Sequence, residues 1–98
     1  NMSSMKNKYD LNNFVHTLTE QGVLSGIVER VKERRKELKL TQQELSQRSG
    51  VSYASIRRFE STGEISFNSL LKIASVLNAL ADFNMLFDNE LVSDLKEY

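Results

Sequence analysis

The feature that most narrows the folds open to this chain is the run from Thr41 to Gly63, TQQELSQRSGVSYASIRRFESTG. It has the requirements of two short helices meeting at a steep angle across a tight turn. A small residue must stand where the axes approach, and Ser46 is that residue. The turn needs a residue at ease with positive φ, which Gly50 provides. The second helix must turn apolar side chains inward one turn apart, as Ile56 and Phe59 do, with Leu45 and Val51 closing the seal. Any one of these is common; the set at these offsets is specific.

The rest of the chain reads as helix, with no proline and no convincing strand. Leu11, Phe14, Val15 and Leu18 share one face of a first helix that Gly22 can end. Ile27, Val28, Val31 and Leu38 stripe a second, reaching about Glu37, with Leu40 packing just beyond it. Thr41 opens the third, with Glu44 placed for a capping box. Ser52 opens the fourth, which Gly63 stops. Ser66 opens the fifth, with Leu70, Leu71, Ala74 and Leu77 inward, and Phe83, Leu86 and Phe87 belong to a short closing helix with Met85 in the core. The organisation expected is a disordered lead (1–8), a helical extension (9–22), a domain over 24–87 and an acidic tail (88–98).

A net charge of zero hides an uneven distribution. From Leu24 to Gly63 nine basic residues stand against five Glu, a balance of +4, whereas Asp88 to Tyr98 holds four acids against Lys96 alone, a balance of −3. A basic centre suits an anionic partner. The same pattern also suits a solvated helix surface, because Glu29, Glu33 and Glu37 alternate with Lys and Arg at helical spacing.

Residues 24–87 resemble the lambda-repressor-like, Cro-type (XRE) helix-turn-helix family, on LTQQEL, GVS, the Ile56–Phe59 pair and SLLKIASVL. The resemblance implies an all-α, five-helix DNA-binding domain, here with an extra N-terminal helix and a short C-terminal tail. Lys39 stands where the family usually has glycine, a strain on the order of 1 kcal/mol. Ser46 replaces the more frequent alanine, and STGEIS departs from the usual proline-containing loop.

By the same resemblance, helix 52–61 reads the duplex. Base contacts fall on Tyr53, Ala54 and Arg58. Backbone contacts fall on Gln42, Ser52, Ser55, Arg57 and Ser61, with Gln42 at a helix N-terminus whose unsatisfied N–H groups attract phosphate. Arg35 and Glu60 are implied to form a structural ion pair. Arg58 can bond guanine bidentately, whereas Ala54 can only touch a thymine methyl.

Other chemistries find no support. Without cysteine there is no disulfide or thiolate site, which fits a reducing cytoplasm. His16, the only histidine, has no arranged acid partner and reads as a packing residue. There is no metal cluster, phosphate-binding glycine loop or nucleophile–base pair, so neither enzyme nor cofactor is expected. No stretch is long and apolar enough for a membrane span. Two roles stay open. One is a homodimeric regulator, most simply a repressor, on a palindromic operator in double-stranded DNA. The other is an antitoxin-type protein that neutralises a HipA-like kinase toxin and autoregulates its operon, an option implied by the resemblance of RRFESTGEISFNSLLKIASVL, with its FNMLF ending, to sequences found beside such kinases.

Overall fold

The computed structural model describes residues 18–90, and within them the chain is all-helical. The helices are α1 (Glu20–Glu37), α2 (Gln42–Ser49), α3 (Tyr53–Thr62), α4 (Phe67–Val76) and α5 (Leu80–Asn84). The lead, most of the 9–22 extension with its Leu11–Phe14–Val15 stripe and His16, and the tail beyond Glu90 lie outside the described residues.

Gly22 does not stop a helix; it lies in the first turn of α1, where its N–H donates to the Oγ1 of the N-cap Thr19 at 3.0 Å. A glycine inside a helix costs about 1 kcal/mol relative to alanine, which a good cap offsets. The domain's first helix thus begins inside the expected extension. Its far end differs from expectation at Leu38, which is exposed, while Leu40 packs into the core as expected. Lys39 adopts φ 59°. The Leu40 N–H reaches the Arg35 carbonyl and the Lys39 N–H that of Lys36, a Schellman closure. The left-handed residue redirects the chain that follows it and turns Leu40 to the core.

Helices α2, α3 and α4 each start at a Ser or Thr N-cap whose hydroxyl accepts an N–H three residues on. In α2 the capping box is reciprocal: the Glu44 N–H donates to Thr41 Oγ1 at 3.0 Å, and the Thr41 N–H to Glu44 Oε1 at 2.8 Å. Gly50 (φ 79°) and Gly63 (φ 85°) end α2 and α3 in the left-handed conformation.

The core joins Leu40, Leu45, Val51, Ile56, Ile73 and Leu77, with Val31, Ile65 and Val76 packed against it. Each fully buried aliphatic chain contributes about 1.5–3 kcal/mol. Ile73 is wholly buried, while Leu70 and Leu71 reach only half-burial. After Leu77 the chain repeats the closure seen at Lys39: Asn78 takes φ 63° and the Ala79 N–H reaches the Ala74 carbonyl. α5 is five residues long and lacks a side-chain cap. The short closing helix holds Phe83 but not Leu86 or Phe87, which lie beyond it, and Met85 is 64% exposed and not in the core. After Asn84 the chain continues in tighter turns, the Met85, Leu86 and Asp88 N–H groups reaching the carbonyls three residues back.

Candidate nucleic-acid interface

The outward side of α3 is held up from below. Ile56 and Phe59 are sealed into the core, which fixes the rotation of α3 about its axis and leaves Tyr53, Ala54, Arg57 and Arg58 facing solvent. Ser46 does more than allow close approach, since its hydroxyl donates to the Val51 carbonyl at 2.6 Å. An alanine there would leave that carbonyl without this partner. The hydroxyl ties α2 to the turn that launches α3.

A second fixture is polar. Arg35 (9% exposed) and Glu60 (8%) meet in a two-pronged pair, Nε to Oε2 at 2.7 Å and an Nη to Oε1 at 2.9 Å. The other Arg35 Nη donates to the Leu40 carbonyl at 2.8 Å. Gln42 Nε2 donates to Glu60 Oε1, also at 2.8 Å. Burial pushes the Glu60 carboxyl pKa up, but the hydrogen bonds from Arg35 and Gln42 and the charges of Arg35 and Lys32 outweigh it and hold the value below the ordinary glutamate range. Such a pair costs more to break than it contributes, because the survivor is left as a buried charge. Among the described residues every buried side-chain nitrogen and oxygen has a hydrogen-bond partner.

The structure brings Gln42, Ala54, Arg57, Arg58 and Ser61 around one shallow groove whose floor is the Arg35–Glu60 pair. Ser52, Tyr53 and Ser55 stand apart, at the N-terminal end of α3, and are not in the groove lining. The Ser52 hydroxyl caps the helix through the Ser55 N–H at 3.1 Å and meets the Ser55 hydroxyl at 2.8 Å. Tyr53 lies under Arg57, whose guanidinium carbon is 5.5 Å from the ring centroid, a cation–π contact that keeps the arginine beside the ring. Ser61 Oγ donates to the Arg58 carbonyl at 3.2 Å. One N–H of the Gln42 amide goes to Glu60, which leaves its second N–H and the backbone N–H groups at the start of α2 as donors toward an anion.

Two residues of the site escape a reading of the sequence. Lys32 lines the groove from α1, one turn before Arg35, and helical spacing from Arg35 is the signal that finds it. Glu64 pairs with Arg58 through a carboxylate–guanidinium contact. It lies six residues along and past the left-handed Gly63, so no helical period links the two.

This arrangement has a solvent-facing helix armed with two arginines, a preceding helix whose N-terminus opens on the same groove, and a basic wall from α1. A helix-turn-helix family model matches residues 31–82, just over half of the chain, from the second half of α1 into α5. The chain belongs to the helix-turn-helix family. Its type is the lambda-repressor-like or XRE type, whose members bind DNA sequence-specifically, regulate transcription and are typically not enzymes. Neither the curated proteins nor the solved structures include a match to the chain. Among the described residues no helix is long and apolar enough to cross a membrane, and no cluster of His, Cys, Asp and Glu could hold a metal ion.

Proposed function

We propose that the protein is a cytoplasmic repressor that binds a palindromic operator as a homodimer, with α3 in the major groove of each half-site. The observation that carries this reading is the division of α3 into a sealed face, Ile56 and Phe59, and a free face, Tyr53, Ala54, Arg57 and Arg58. Arg58 reads a base, most simply a guanine through O6 and N7, with Tyr53 and Ala54 in van der Waals contact beside it. Arg57, Ser52, Ser55, Ser61 and the N-terminus of α2 at Gln42 take phosphates, and Lys32 joins them from α1. The Arg35–Glu60 pair serves as structure and not as a DNA contact.

A lone module of this size recognises few base pairs, and a two-fold dimer reading half-sites about 34–36 Å apart supplies the rest. Support for a protein interface comes from the other end of the domain, where Phe67, Leu80, Met85, Leu86 and Phe87 are all exposed. The same surface favours a second reading, an antitoxin-type protein that holds a kinase-like toxin there and represses its own operon.

Selection of bound fragments from random DNA tests the first reading. It should return a two-fold symmetric site, with affinity falling steeply as salt rises. Arg58→Ala should lose about 1–3 kcal/mol of discrimination at one position per half-site. Binding that selects no sequence, or an equal loss on all sequences, would remove α3 from the reading role. Co-purification with a toxin and weak operator preference would favour the second.

A further inference from the structure

We infer that Glu64 is a specificity-determining residue, whose carboxylate holds Arg58 ready for a base and penalises its engagement with phosphate. The inference rests on the proposal that α3 reads DNA, and adds a residue with no place in the family resemblance. Glu64 stands on a constrained turn. Its N–H donates to Thr62 Oγ1 at 3.1 Å, and that hydroxyl donates to the Arg58 carbonyl at 2.7 Å. Gly63, left-handed at φ 85°, brings the turn so close to Leu24 that a Cβ there would lie 2.9 Å from the leucine side chain. The backbone is thereby fixed where the Glu64 carboxylate meets an Nη of Arg58, both side chains being about two-thirds exposed.

An acid paired with an arginine of the basic groove weakens binding to every duplex through repulsion of phosphates. Its presence beside Arg58 has a use that repulsion alone does not give. A guanidinium carries five donors on a rigid fork, enough to bond guanine bidentately while another N–H stays on a carboxylate. In a cognate complex Glu64, Arg58 and guanine can form one chain of hydrogen bonds. On random DNA, Arg58 must turn to a phosphate, which brings that anion against Glu64 or breaks the pair. Discrimination here comes from making the wrong complex worse, at small expense to the right one.

The test compares the wild type, Glu64→Gln, Arg58→Ala and the double variant on the operator recovered by selection and on a random duplex of equal length. Glu64→Gln should bind the random duplex about three- to tenfold more tightly and the operator within about twofold of wild type, so that the specificity ratio falls. In the Arg58→Ala background the added Glu64→Gln should leave the ratio unchanged. Glu64 is exposed, so Glu64→Gln and Glu64→Ala should melt with the wild type, and either can serve. Equal tightening on both duplexes, or no change on either, overturns the inference while leaving α3 as reader. A wild type without sequence preference overturns both, and that arm is read before any variant.

Discussion

The two ends of this domain are built to different standards of closure. Around α2 and α3 each helix start is capped, both helices end on left-handed glycines, and the buried charges of Arg35 and Glu60 are saturated by four hydrogen bonds. Around α5 there is no side-chain cap, Phe67 meets Phe83 edge-on at 6.1 Å while remaining largely exposed, and Phe87 has no cover at all. Both ends belong to one small domain, so the contrast is a division of labour. The finished end has the fixed shape that the proposed reading requires for a ligand that cannot adapt much. The unfinished end retains apolar area whose removal from water can drive association.

The sharpest way to break the finished end is through its core. Phe59→Ala should cost about 3–5 kcal/mol in urea titrations, enough to leave a domain of this size largely unfolded. Next comes Glu60→Ala, expected to lower stability by about 3 kcal/mol and to depress the melting temperature along with DNA affinity, because Arg35 is stranded. The same pair makes stability depend on acid. With the folded pKa of Glu60 below its unfolded value, the contribution is whole above about pH 4.5 and is lost as pH falls through the folded value. The capping-box carboxylate of Glu44, lowered by its hydrogen bonds to Thr41, acts in the same direction. A stability–pH curve of Glu60→Ala should be correspondingly flatter on its acid side.

The two glycines separate conformational strain from crowding. Both have positive φ, but a Cβ at Gly50 would meet nothing within 4 Å, whereas at Gly63 it would press on Leu24. Gly50→Ala should cost about 1 kcal/mol and Gly63→Ala about 2 kcal/mol by chemical denaturation. Equal losses would mean that Leu24 yields freely. The smallest effect on the isolated fold belongs to the open end. Phe87→Ser should change monomer stability by no more than about 0.5 kcal/mol. Sedimentation equilibrium should nevertheless show weaker self-association. An unchanged oligomeric state would shift the interface elsewhere.

Much of this contrast was legible in the residues. Thr41 and Glu44, Gly50 and Gly63, and the inward Ile56 and Phe59 obey local rules, so their spacing alone locates α2 and α3. What escaped depends on partners distant in sequence or on missing ones. Gly22 reads as a helix stop and Leu38 as part of an apolar stripe, but a cap at Thr19 draws the first into a helix and the chain leaves the second exposed before a left-handed Lys39. Ile73 is chosen over Leu70 for full burial by the packing of α4 on its neighbours, which periodicity cannot rank. Met85, Leu86 and Phe87 look like core because they are apolar, and nothing in their own run reveals that they remain exposed in the fold. In the site, Gln42, Arg58 and the Arg35–Glu60 pair are located by the motif, but the bond from Gln42 to Glu60 and the pairing of Arg58 with Glu64 follow from the folded arrangement.

The Glu60 carboxylate is shared by donors from α1 and α2 while its own backbone belongs to α3. Three rods joined at one anion cannot pivot separately: tipping any of them stretches bonds to the other two. The inclination at which α3 would enter a groove is therefore set before any duplex arrives. On the proposed reading, adjustment to an imperfect site would fall to the long outer side chains, and a duplex of the wrong width would itself have to bend to be bound.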